Sequence, residues 1–275
     1  MKTKLWSLLS DMGIEYFAIL DYESCRVQAE NIISRAGFVP RSVIVYLVPY
    51  YTGECVNISR YAASLDYHLA IREINAGIEE LLRSEFPGAN MKGYGDHSPI
   101  SEGHAALIGG LGIAGDNGLL INEKYGSYVF IGDMITDIPP RSLFAEKPKE
   151  IIRCEGCGAC KRACPTGILG GAGQECLSAI TQKKGELSKD EKALMRKYNT
   201  AWGCDMCQSS CPHNKNPEKT PVKFFYNDRI DNLTSEILAS MTKSDFEKRA
   251  FAWRGRKTVE RNIEILNNSE DLCLK

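Results

Sequence analysis

The sequence predicts an α/β (α+β) domain, then a small cysteine-rich module, then a short helical C-terminus. Three observations carry this. Strand-like and helix-like stretches alternate over the first 147 residues, eight cysteines fall within residues 154–211, and the last fifty-five or so residues are polar with helical spacing. The expected segments are 1–147, 148–220 and 221–275. A chain of 275 residues, 43% hydrophobic and 25% charged, suits one sizeable core plus a smaller module. Its net charge of -1 selects no class of partner.

The elements follow in order. Lys4 to Met12 reads as a short amphipathic helix and Glu15 to Leu20 as a strand. Val43 to Val48 is a continuous apolar, β-branched run behind a Pro-Arg-Ser turn, the pattern of a central strand buried on both faces. Ser59 is expected to cap a long helix with a stripe of Leu65, Leu69, Ile74, Ile78, Leu81 and Leu82, stopped by Pro87-Gly88. Ser101 to Ile108 reads as helix and Tyr128 to Ile131 as strand. A Pro139-Pro140 break and a charged linker, Glu146 to Glu150, close the first segment. The apolar stretch Leu5 to Leu20 is interrupted by Asp11 and Glu15, too short and too charged for an export signal or a membrane span. No membrane partner and a reducing, cytoplasmic compartment are therefore expected, where clustered thiols mean metal or catalysis.

The cysteines carry the most specific signal. Cys154, Cys157, Cys160 and Cys164 spell C-x2-C-x2-C-x3-C-P, and Cys204, Cys207 and Cys211 end in the same C-x3-C-P. This is the two-cluster ferredoxin run, in which three thiolates grip one 4Fe-4S cluster and the cysteine before proline reaches the other. Two clusters need eight thiolates; Cys176 is the one cysteine between the runs and supplies the eighth. Crossing then puts one cluster on Cys154, Cys157, Cys160 and Cys211, and the other on Cys164, Cys176, Cys204 and Cys207. Pro165 and Pro212 turn the chain away, and Gly156, Gly158 and Ala159 keep the loop thin enough for amides to approach the sulfurs. A zinc ribbon uses two C-x2-C pairs without the third cysteine or the C-P. Cys25, Cys55 and Cys273 are left over, as small hydrophobes or stray thiols.

Two other features have competing readings. Gly110-Leu-Gly112-Ile-Ala-Gly115 fits G-x-G-x-x-G, but it follows a helix-like stretch and not a strand, which argues against a dinucleotide site. Its glycines suit either a tightly packed loop with positive φ or a backbone lying against something flat. Near the C-terminus Lys248, Arg249, Arg254, Arg256, Lys257 and Arg261 gather, with Phe251 and Trp253 interleaved. They suit either contact with a phosphate backbone or the solvated face of a helix.

The motifs together resemble one family. Ser59-Arg-Tyr-Ala-Ala-Ser-Leu-Asp66-Tyr67-His68, Gly95-Asp96-His-Ser-Pro99-Ile, the loop Gly110 to Leu120 and Gly126-Ser-Tyr-Val-Phe-Ile-Gly132 resemble the epoxyqueuosine reductases. So do Glu175-Cys176-Leu-Ser, Gly203-Cys-Asp-Met-Cys207-Gln-Ser-Ser-Cys211-Pro-His-Asn and Phe251-Ala-Trp-Arg-Gly-Arg. The resemblance implies a cobalamin-binding-type domain before a ferredoxin-like double 4Fe-4S module, as in the related reductive dehalogenases. It implies two 4Fe-4S clusters, cobalamin, and reductive removal of the epoxide oxygen of epoxyqueuosine in tRNA, with electrons from a flavodoxin- or ferredoxin-type donor. It agrees with Cys176 as a ligand. Asp96 matches the family's proposed general acid; alone it would read as a turn or cap before Pro99. Asp66, Tyr67 and His68 would line the corrin or substrate, and Gly110, Gly112 and Gly115 would let backbone approach the cofactor.

This chain departs from the family as a short, divergent member. Asp116-Asn117 stands where the family carries lysine and a polar residue, and a Met-x-Tyr-Met segment is missing between Cys25 and Pro40. The sequence ends soon after Leu266, where full-length members continue into helical repeats that hold tRNA. Alternatives are a small-molecule corrinoid reductase or dehalogenase-like enzyme, and a two-cluster electron-transfer protein without cobalamin.

Overall fold

A computed structural model describes residues 1–173 and 175–268; Cys273 lies outside the described residues. The chain divides into two compact units, each assembled from separate stretches of sequence. The first takes residues 1–51, 68–157 and 216–223; the second takes 52–67, 158–215 and 224 onward. This grouping differs from the consecutive segments 1–147, 148–220 and 221–275. Residues 52–67 join the cysteine-rich unit because Ile58, Ala62 and Ala63 share an apolar core with Trp202, Phe251 and Val259.

The first unit holds α1 (Lys2–Asp11), β1 (Phe17–Asp21), α2 (Glu30–Ala36), β2 (Ser42–Pro49), α3 (Tyr67–Glu85, from its second residue), β3 (Met91–Tyr94) and α4 (Glu102–Ile108). A small hairpin, β4 (Ile113–Ala114) and β5 (Leu120–Ile121), precedes β6 (Val129–Thr136) and α5 (Pro140–Leu143). The sheet runs β1-β2-β6-β3 with every pairing antiparallel. All eight residues of β2 are buried, as the apolar run requires. Its alternation shows why: Val43, Val45 and Leu47 join the core around α4, while Tyr46 on the other face donates its hydroxyl to Asn75 Oδ1 of α3 at 3.0 Å. Helices thus cover both faces of an antiparallel sheet.

Two expectations are corrected here. Ser59 does not cap the long helix: it precedes a single turn, Arg60–Ala62, and its hydroxyl is engaged by the Asp205 carboxylate. The helix starts at Tyr67, so Leu65 lies outside it, and the buried stripe is Ala70, Ile71, Ile74, Asn75, Ile78 and Leu82. The strand expected to end at Ile131 continues to Thr136. Gly132 does not break it, because the Tyr46 ring of the neighbouring strand fills the space a Cβ would need, at 2.4 Å.

The second unit is built from short helices: α6 (Ala159–Ala163), α7 (Leu177–Thr181), α8 (Lys189–Lys197), α9 (Met206–Ser209), α10 (Ser235–Ser240), α11 (Lys243–Glu247) and α12 (Arg256–Asn267). Ser188 and Glu191 form a reciprocal capping box at the start of α8, which fixes a helix too polar to be held by packing alone. The C-terminal helices are not a polar appendage. Phe246, Phe251, Val259 and Ile263 are core residues, and buried Asn262 donates to the carbonyls of Thr181 and Ala201, each at 2.7 Å.

Candidate functional site

Cys154 and Cys157 belong to the first unit; Cys160, Cys164, Cys176, Cys204, Cys207 and Cys211 belong to the second. All of them are free thiols. In the second unit α6, which carries Cys160, packs on α9, which carries Cys207. Cys176, Cys204 and Cys207 lie close enough to feel one another's charge: burial, then these neighbours, pushes Cys204 to about 12 and Cys207 to about 11. Two half-buried thiols, Cys204 and Cys207, with the exposed Cys176 in range of both, suit a group that brings its own positive charge. Burial also pushes Cys164 up, but the N–H groups of Leu169, Thr166 and Ile168 and the Thr166 hydroxyl hold it below the ordinary thiol range. Those donors are the amides a cluster sulfur needs. Among the described residues, no three His, Cys, Asp or Glu side chains converge as the ligands of a single ion do. Cys25 and Cys55, pushed by burial to about 12 and about 11, are inert thiols.

The loop around Cys204 is tied down by polar contacts absent from the sequence reading. Ser59 N–H donates to the Trp202 carbonyl at 2.8 Å, and Ala201 N–H to the Asn57 carbonyl at 2.7 Å, forming a short parallel bridge. Gly203, at φ +77°, packs so closely on Ser59 that a Cβ would sit 2.4 Å from it. Asp205 accepts from the Arg60 backbone at 2.8 Å and from its guanidinium at 3.1 Å.

In the first unit the glycine loop follows α4, as its helix-like lead-in predicts. A Cβ on Gly112 would meet the Ile121 carbonyl oxygen at 2.5 Å, and one on Gly115 would meet the Asn117 side chain at 2.5 Å. Gly110, at φ +71°, is covered by the Lys149 side chain. These three glycines serve the loop's own packing, whereas Gly118, at φ +81°, has open space around it. The loop also reaches a cysteine: Asp116 N–H donates to Cys154 Sγ at 3.3 Å, and a strand-like bridge joins Ala114 to Arg153.

Asp96 sits in a turn between β3 and α4. It is not a cap, since Ser101 takes that place and accepts from His104 N–H. Asp96 and His97 both have left-handed backbones, φ 71° and 52°, at a cost of about 1–2 kcal/mol each for a residue with a Cβ. The Glu102 carboxylate offsets part of this by accepting the Asp96 N–H at 3.0 Å. The Asp96 side chain stays 51% exposed, with Oδ2 3.5 Å from His68 Nε2. Behind the turn, Ser98 Oγ donates to Asp133 Oδ2 at 2.9 Å. Asp133 is completely buried, and burial followed by the Glu102 charge raises it well above the carboxylate range; burial, then Asp96, pushes Glu102 to about 7. The sequence reading missed both. A charge inside the apolar run of β6 was the available signal for Asp133; Glu102 looks like any first-turn acid. Asp66 and Tyr67, grouped with His68 by their motif, belong to the other unit.

The basic C-terminal residues are mostly structural. Arg249 donates to the Asp228 carbonyl, Arg256 to those of Leu238 and Met241, and Arg261 to those of Lys183 and Gly185. Phe251 is buried. Trp253 alone stands out, 60% exposed with the Arg254 guanidinium 3.7 Å from its ring centroid.

The cysteine arrangement and its mixed helix-and-sheet partner define an iron-sulfur protein of the two-cluster class, and residues 153–214 match the 4Fe-4S double cluster binding domain. The chain belongs to the epoxyqueuosine reductase family. It is 33% identical over 245 residues to the epoxyqueuosine reductase of Leadbetterella byssophila, covering 82% of this chain and 77% of that one. It is 35% identical over 218 residues to that of Listeria monocytogenes, covering 76% of this chain and 56% of the relative. Against several such relatives the chain spans little more than half their length, as with the 53% covered in Bacillus cereus. The fold is that of the solved epoxyqueuosine reductase from Streptococcus thermophilus, with TM-score 0.76 at 21% identity over 97% of this chain and 80% of that one. A second solved epoxyqueuosine reductase, carrying a modified tRNA-Tyr stem loop, matches with TM-score 0.74 at 23% identity over 96% of this chain and 80% of that one. Among the described residues no helix is long and apolar enough to cross a membrane.

Proposed function

We propose that this chain reduces the epoxide of epoxyqueuosine in tRNA, in the cytoplasm, using two 4Fe-4S clusters and cobalamin. The reaction adds two electrons and two protons, releases the epoxide oxygen as water and leaves a carbon-carbon double bond. The electrons come from a flavodoxin- or ferredoxin-type donor through the clusters held by the eight cysteines of 154–211. Cobalamin, when bound, supplies a low-potential centre for the reduction. Gly118 offers the loop backbone to its flat face, and His68, 3.5 Å from Asp96, lines the site in the same unit. Asp96 supplies a proton to the departing oxygen, because an alkoxide is too poor a leaving group to depart unaided.

The observation that carries this reading is Asp96: a half-exposed carboxyl held in a left-handed turn beside His68, in a chain of this family. A small-molecule reductase is the second reading, favoured by the arginines that donate to backbone carbonyls where a tRNA backbone would want them. Turnover of an epoxyqueuosine-modified stem loop, compared with the free nucleoside, separates the two. Asp96→Asn should retain iron and cobalamin and lose at least about 100-fold in turnover; undiminished turnover would remove Asp96 from the acid role.

A further inference from the structure

Asp133 lies on β6 with no exposed surface. Its Oδ2 accepts from Ser98, but Oδ1 meets no N–H or hydroxyl donor. The neighbouring acid is Glu102, whose side chain interacts with that of Asp133. Two ionised carboxylates offer four acceptors and no donor, so that contact is a hydrogen bond only if one of them carries a proton. The other titratable groups that face Asp133 are Tyr46 of β2, Tyr94 of β3 and Cys25, none of them a cation. Asp96 and His68 face Glu102, the less buried partner. An acid buried without a cation stays neutral, and a neutral acid can donate.

We propose that Asp133 is held protonated, that its hydroxyl donates to Glu102, and that Glu102 in turn holds the Asp96 N–H, so that Asp133 is a positioning residue for the Asp96 turn. Ser98 fixes the chain on the far side of the same carboxyl, so the turn is clasped at residues 96 and 98. The consequence for turnover rests on Asp96 being the acid; the clasp itself does not.

The test uses the full chain with its clusters. In protein labelled with carbon-13 aspartate, the infrared band of a protonated carboxyl is expected at about pH 8, four units above the ordinary aspartate value, and should vanish in Asp133→Asn. Amide exchange of the segment carrying Asp96 should stay within about twofold of wild type in Asp133→Asn, whose amide still donates, and rise at least about tenfold in Asp133→Val. Where the valine variant fails to fold, Glu102→Ala gives the same reading, since it removes the acceptor of the Asp96 N–H. Absence of the protonated-aspartate band, or exchange as slow as wild type in Asp133→Val or Glu102→Ala, would overturn the proposal. If Asp96→Asn leaves turnover intact while exchange behaves as expected, the acid assignment falls and the clasp stands.

Discussion

The backbone N–H of Asp116 donates to Cys154 Sγ at 3.3 Å, and its carboxylate lies over Gly156, 3.9 Å from where a Cβ would be. The negative charge that departs from the family pattern thus sits beside an expected cluster ligand. A nearby carboxylate disfavours adding an electron, while the N–H···S bond favours it. Asp116→Asn keeps the bond and removes the charge. The midpoint potential of one cluster should rise by about 30 mV, the equivalent of roughly 0.7 kcal/mol for one electron, in a redox titration followed by electron paramagnetic resonance. An unmoved potential would separate Asp116 from any cluster.

Cys176 is exposed, yet Cys204 and Cys207 both lie within range of its charge. As the eighth ligand it should be needed for one cluster only. Cys176→Ser is expected to lower iron from about eight to about four per chain after anaerobic preparation, while Cys55→Ser leaves the count unchanged. Full iron content in Cys176→Ser would return the eighth ligand to an unassigned residue.

The double-cluster domain was legible because cysteine spacing encodes it locally, whereas the positioning contacts depend on residues far apart in sequence. Val43 to Val48 announced a doubly covered strand, and the structure covers it with α3 and α4. Ser59 misled because a serine before a helical stripe is the usual cap signal; here a distant carboxylate, Asp205, competes for its hydroxyl and wins. β3 was missed because Met91–Tyr94 is short and contains Gly93, whose missing side chain is the space Asn75 occupies. Asp133 went unread for a related reason. An acid in a strand looks like the strand's end until the Ser98 hydroxyl is seen to bond it.

Asp205 joins Ser59, the Arg60 backbone and the Arg60 guanidinium, with both charged side chains only 10% exposed. Removing Asp205 leaves the nearly buried guanidinium to the exposed Glu54 carboxylate and the Ser209 hydroxyl, with its Nε still short of an acceptor. Asp205→Ala should cost about 3 kcal/mol, read as an apparent Tm lower by roughly 6–12 °C, and should speed iron loss because the residue adjoins Cys204. Ser59→Ala removes one hydroxyl and should cost about 1 kcal/mol. Equal effects from the two variants would mean that the ion pair adds nothing beyond the hydroxyl.

The Glu102 and Asp133 carboxyls make stability depend on pH with a definite sign. Glu102 titrates near 4.5 when unfolded and is raised to about 7 in the folded chain, by burial and then by Asp96; Asp133 is raised further by burial. Between these values the folded state keeps protons that the unfolded state has lost, so stability is greatest below about 4.5 for these groups and falls as pH rises through about 7. The loss from Glu102 is of order 3 kcal/mol. Other acids contribute their own slopes, which the comparison of wild type with Asp133→Asn cancels. The variant removes the buried acid and the proton it keeps, leaves Glu102 an amide donor, and should retain at least about half of the stability that wild type loses between pH 5 and 7.5. Parallel Tm profiles for the two proteins would show that neither carboxyl is perturbed by the other.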